Sequence, residues 1–286
     1  MDEAGITGAL EMLKTNSFII KDYILPILIP MLTTVISAIL AYKVAMKAAS
    51  RGELNKQKHQ QAHAANSLIL HAEMCFQACI SRKSFYKNNM SPDLATRIDI
   101  FPVITSPSTD KALPIALSEL LFLESDISAG DMNWANVSCI SRLFNDFLVA
   151  ENLESRRSVL KLELNELISK SFDHKLISVT KLDLDWMVKE FGSSKTANIL
   201  TISEQLIGMT DWLLINLNLL IKQIQEIAND RINNGDSSLK YPIIKIDTDH
   251  NEFRQSFLVK CPKPNLNRIH ELTGLTPQEF ESRSRC

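Results

Sequence analysis

The sequence predicts a mainly α-helical chain. One transmembrane helix near the N-terminus continues into a cytoplasmic helical bundle, and a small β-hairpin lies towards the C-terminus. Three features carry this expectation. An uncharged run of twenty residues lies at 23–42. Glycine and proline are scarce, 8 and 10 in 286 residues. A long apolar stripe of helical period lies at 199–227.

The run 23–42 reads YILPILIPMLTTVISAILAY, with Lys21-Asp22 before it and Lys43 after it. At about 1.5 Å rise per residue it spans about 30 Å, the thickness of the hydrocarbon core of a bilayer. A signal peptide would have a shorter apolar region after a basic start. Here the preceding residues include Asp2, Glu3 and Glu11, so the helix is expected to be retained. Only Lys14 and Lys21 precede the span, whereas Lys43, Lys47, Arg51, Lys56 and Lys58 follow it. Lys and Arg resist translocation far more than Asp and Glu do, so residues 1–22 are expected outside and the large domain in the cytoplasm. The basic collar would then meet anionic lipid headgroups. Ile6, Leu10 and Leu13 share a helical face, which suits an interfacial helix.

Beyond the span, the Ala/Lys/Gln-rich stretch 43–87 reads as a juxtamembrane stalk helix with Gly52 as its weak point. Residues 88–114 read as a connector, because Pro92, Pro102 and Pro107 each push the preceding residue out of helical geometry. The segment 115–235 reads as a bundle, with helices at 115–128 and 133–171, a turn at Gly130-Asp131 and a shorter helix at 182–191. Gly192-Ser193-Ser194-Lys195 suits a helix–helix turn better than a catalytic serine. The last bundle helix carries Ile199, Ile202, Leu206, Met209, Leu213, Leu217, Leu220, Ile224 and Ile227. Their spacing of three and four keeps them on one face, which asks for a partner helix in this chain, in a second copy or in another protein. Asp211, Asn216 and Asn218 interrupt the run and argue against a second crossing. In 236–286, residues 241–246 and 253–259 read as two strands of a hairpin around Thr248-Asp249-His250-Asn251. Thr276-Pro277-Gln278-Glu279 opens a final helix with a cap residue, a first-turn proline and a back-bonding Glu.

Enzyme chemistry finds little purchase. The glycines form no phosphate-cradling loop, and no nucleophile elbow of the Gly-x-Ser-x-Gly type is present. His71, Cys75 and Cys79 recur every four residues, but such a ladder rarely closes a tetrahedral metal site, and two cysteines facing a bundle core are the plainer reading. His59 and His63 sit among Gln and Lys and read as solvated. Five cysteines without paired spacing suit thiols in a reducing compartment. A net charge of −2 offers no broad basic surface for nucleic acid. No catalytic group, metal or cofactor is expected.

The span holds the informative residues. Thr33, Thr34, Ser37, Ala38 and Ala41 collect small and hydroxyl-bearing side chains in its second half, and Pro26 and Pro30 lie one turn apart in its first. Small residues let membrane helices approach closely, and hydroxyls either bond across helices or line a wetted path. The alternative is that each hydroxyl bonds its own backbone.

An outer N-terminus, a small-residue span, a basic collar and a helical domain without catalytic apparatus together resemble the bacterial membrane effectors of anti-phage defence. Among these the layout, over the whole chain, is most similar to the channel-forming effector of the Hailong type. The resemblance implies an inner-membrane homo-oligomer, tetrameric, closed by a nucleotide or nucleic-acid ligand made by a partner nucleotidyltransferase and opened when that ligand is lost. Conduction would turn Thr33 and Ser37 to the axis with Thr34 and Ala41 beside them, and put Lys43 and Lys47 at the cytoplasmic mouth. The rival expectation is a membrane-anchored scaffold or adaptor that binds a partner helix along the 199–227 stripe.

Overall fold

A computed structural model describes residues 25–103, 114–124, 134–171, 183–234 and 240–265, with 268, 270, 271, 276, 278 and 279. The N-terminal segment 1–22, Tyr23, Ile24 and the Gly130-Asp131 turn lie outside the described residues. The chain divides into two compact units, Met1–His59 and Gln60–Cys286.

Helix α1, Leu25–Ser84, has Pro30 inside its first turns. Its residues up to His59 belong to the first unit and the rest to the second. Residues 30–54 are exposed throughout. From Ala62 onward the helix has an inward face of Ala64, Leu68, Ala72, Cys75, Phe76 and Cys79, each 1% exposed or less. The far half of the expected stalk is therefore a bundle helix. Alanine and cysteine carry much of its periodicity, which leaves a weak hydropathy signal for a face that is nonetheless buried.

The connector contains a short helix, α2, at Leu94–Asp99, capped by the Asp93 carboxylate, which accepts from the Thr96 amide at 2.9 Å. Pro92 and Pro102 flank this turn of helix instead of breaking it. Residues 104–113 lie outside the described residues. The helix expected at 115–128 is a 3-10 helix at Leu117–Leu123, and α3 runs Val137–Ser171. The short helix expected at 182–191 is α4, Leu184–Met187, continued by a π-turn over Val188–Gly192. At Gly192 the chain turns into α5, Ser193–Asn233. Gly192 has φ +93°, a conformation that costs an L side chain dearly, and nothing lies within 4 Å of where a Cβ would stand. Gly192→Ala should thus cost about 1–2 kcal/mol through backbone strain alone, read as a lowered midpoint in denaturant titration.

The second unit is a bundle of the later part of α1 with α3 and α5. One core cluster joins Phe76, Phe144, Phe147, Leu213, Leu217 and Leu220 across the three helices. A second, smaller cluster gathers Leu94, Ile98, Leu164, Met187 and Ile199 under the connector.

The expected hairpin is corrected in its second half. Residues 253–259 do not form a strand: Glu252–Leu258 is a helix, α6, capped by Asn251, whose Oδ1 accepts from the Arg254 amide. Phe253 and Phe257, four apart, pack with ring centroids 5.1 Å apart and planes tilted by 60°, so the apolar pattern that suggested alternation closes a helical turn instead. Residues 240–247 form no regular secondary structure, and no strand is present among the described residues. The final capping motif takes the expected form: the Thr276 amide donates to Glu279 Oε2 at 2.9 Å and the Glu279 amide donates to Thr276 Oγ1 at 3.3 Å.

Candidate functional site

In the first unit the candidate span is a helix whose large side chains are uncovered. Met31, Leu32, Val35, Ile36, Ile39 and Leu40 are 51–68% exposed. Among the described residues α1 is the one helix long and apolar enough to cross a membrane, and none of its apolar window is buried, unlike the core helix of a soluble protein. The hydroxyls of Thr33 and Thr34 both donate to the Pro30 carbonyl, at 2.9 and 2.6 Å. They therefore bond their own helix in this structure.

At about 100° per residue, Thr34, Ser37, Ala41, Ala45, Ala48 and Gly52 share one face of α1. Lys43 and Lys47 lie roughly 80–160° around from Ser37 and Ala41 by the same geometry, among the bulky residues Ile36, Leu40 and Leu54. The small face and the basic residues are thus on different sides of the helix.

The 199–227 stripe is spent inside the chain. Ile199, Ile202, Leu206, Met209, Leu213, Leu217, Leu220 and Ile224 are at most 3% exposed, and Ile227 packs at the core's edge. As a surface for a second copy or another protein the stripe is a corrected expectation, because α1 and α3 of the same chain supply the partner helices it asks for.

His71, Cys75 and Cys79 are buried on the core face of α1, with Cys75 Sγ 3.9 Å from His71 Nε2 and His71 tilted against Phe144. His59 and His63 are exposed.

Comparison of the chain with protein-family models, curated proteins and solved structures returns no match.

What sequence reasoning missed is a set of buried charges in the second unit. Arg97 forms a two-pronged pair with Glu204, Nε to Oε1 at 2.5 Å and Nη2 to Oε2 at 2.7 Å. Both side chains are under 5% exposed, and burial pushes the Glu204 carboxyl up while Arg97 pulls it back. Arg157 lies over the Phe101 ring and donates to the carbonyls of Ile98 and Phe101 and to Ser203 Oγ. Burial lowers it to about 10. Lys161 reaches Asp99 at 2.5 Å. These cations bolt the connector onto α3 and α5, which is why a proline-punctuated segment is ordered at 91–103. Arg82 joins α1 to α3 through Glu151 and Glu154.

A second polar set binds the C-terminal segment. The Lys83 ammonium donates to Asp211 Oδ1 and to the carbonyls of Phe257 and Val259, which fills its three donors. Asp211 Oδ2 accepts from the Cys261 amide at 2.6 Å, and the Cys261 thiol lies 3.7 Å from Oδ1. Burial, with Asp211 next to it, pushes that thiol up to about 12. At pH 8 little thiolate forms, so iodoacetamide should modify Cys261 at least about tenfold more slowly in the folded protein than in urea, followed by mass spectrometry. Equal rates would mean that Cys261 is not held against Asp211. The signal for this set was in the sequence: Asp211, Asn218, Lys222 and Gln225 recur at helical spacing beside the apolar stripe, a polar row that a solvated face does not require to be continuous.

Proposed function

We propose that this protein is a membrane-anchored homo-oligomeric effector, an ion channel or pore of a bacterial defence system, with its helical unit in the cytoplasm as the controlling domain. The observation that carries the reading is the uncovered apolar stretch of α1 together with its small-residue face. An apolar surface of that extent is not left in water by a soluble monomer, so lipid and other copies are its natural cover. Between bilayer-embedded helices, small residues such as Thr34, Ser37 and Ala41 favour close approach. Each copy brings the same face, which suits a ring of identical spans.

In such a ring Ser37 and Ala41 line the path with Thr34, and Thr33 stands at its edge. Lys43 and Lys47, on the bulky side, reach anionic headgroups instead of crowding the mouth. The excess of Lys and Arg after the span favours an inner-membrane protein with residues 1–22 outside. The resemblance in layout adds a tetramer and a nucleotide or nucleic-acid ligand from a partner nucleotidyltransferase.

The test is expression of the full chain in bacteria with a potential-sensitive dye, alongside particle mass in mild detergent. Depolarisation with an oligomeric mass is expected. A polarised membrane, or a monomer, overturns the proposal.

A further inference from the structure

We propose that residues 240–261 form a strap that detaches from the helical unit as one piece while α1, α3 and α5 stay packed, with the Lys83–Asp211 ion pair as its lock.

The strap lies along two polar rows, one on each of two helices. As it runs from Tyr241 to Cys261 its partners on α5 run backwards, from Asn233 through Gln225, Lys222 and Asn218 to Asp211. Its partners on α1 run forwards, from Asn66 through Glu73 to Lys83. The segment therefore follows a groove between the two helices, and each row meets it at intervals of one to three helical turns.

The irregular part, 240–247, has its backbone groups bonded by side chains of the two helices. Asn233 accepts from the Tyr241 amide and donates to the Tyr241 carbonyl, at 2.8 and 3.0 Å. Asn66 accepts from the Ile244 amide and donates to the Pro242 carbonyl, at 2.8 and 2.9 Å. Gln225 accepts from the Ile246 amide at 3.1 Å and its amide group faces the Ile246 carbonyl at 3.4 Å. Each carboxamide stands in for a neighbouring peptide group, offering one donor and one acceptor. In the middle, Arg254 lies 3.6 Å over the Phe76 ring and bonds Asn218 and Glu73.

Two observations make the strap separable. Ile243, Ile244 and Ile246 are only half-buried and pack on the rim of the core, and Phe257 is the one apolar strap side chain buried in it among the described residues. No backbone-to-backbone bond joins residues 240–250 to a helix among the described residues. An element held mostly by polar side chains, with a single buried apolar anchor, belongs to the low-stability end of a fold. Its far end is different: Lys83 and Asp211 are 1% and 8% exposed, and between them they hold Phe257, Val259 and Cys261. Loss of that pair frees one end, and the amide brackets then have little to register against.

Hydrogen exchange of the full chain in detergent, read by mass spectrometry on peptides covering 240–261 and 206–224, tests this. In the native protein the strap peptides should exchange together and at least about tenfold faster than the interior of α5. Asp211→Asn should accelerate the whole strap, including Tyr241 to Ile246 at the opposite end, by about tenfold with the 213–224 amides unchanged. Gln225→Ala, which leaves the ion pair intact, should likewise accelerate exchange around Cys261. Acceleration confined to the neighbourhood of each substitution overturns the proposal, and so does equal acceleration in α5.

Discussion

Replacing Arg97 with methionine should destabilise the helical unit by about 3–5 kcal/mol, because it leaves the Glu204 carboxylate buried without a counter-charge. The pair is almost wholly enclosed, two-pronged, and joined to the Ser91 carbonyl through Arg97 Nη1. Burial and pairing oppose each other in such a site. The net worth of the pair is small, while the cost of half of it is large. Glu204→Leu combined with Arg97→Met should accordingly recover much of the loss. Denaturant titration of the two single variants and the double variant in detergent measures both effects. A single-variant loss below about 1 kcal/mol would place Glu204 in contact with water, since exposed pairs contribute no more than that.

If α1 conducts as proposed, Thr33→Leu with Ser37→Leu should abolish depolarisation while leaving insertion and assembly intact. Two leucines raise the apolar character of the span, so a failed anchor is not an explanation for lost activity. At a narrow path they exclude water and the ions it carries. The hydrogen bonds of Thr33 and Thr34 to the Pro30 carbonyl sharpen the test. A hydroxyl that already bonds its helix still presents its oxygen as an acceptor, so single replacements should separate the two positions. Ser37→Leu, on the small face, should reduce depolarisation more than Thr33→Leu at its edge. The readout is membrane potential at matched protein levels, with crosslinking to confirm oligomers. Undiminished depolarisation in the double variant would remove the hydroxyls from the conducting path.

Where a property depends on neighbours within a few turns, the residues alone determined it. The spacing along α5, the long apolar helix at the uncharged run of α1 and the Thr276–Glu279 cap were all legible, because helical period, apolar composition and capping are local rules. Tertiary structure decided the rest. The apolar stripe on α5 said that a face must be covered, and only the packed bundle says that α1 and α3 of the same chain cover it. Residues 240–247 carry a strand-like pattern, yet their backbone is satisfied by Asn66, 178 positions before Ile244, and by Gln225 and Asn233. Nothing near them in sequence distinguishes that outcome from a hairpin. The burial of Arg97, Arg157 and Lys83 was decided by the tertiary structure for the same reason. A cation can be buried only when its acceptors arrive, and apart from the Ser91 carbonyl beside Arg97 those acceptors lie 46 to 176 positions away.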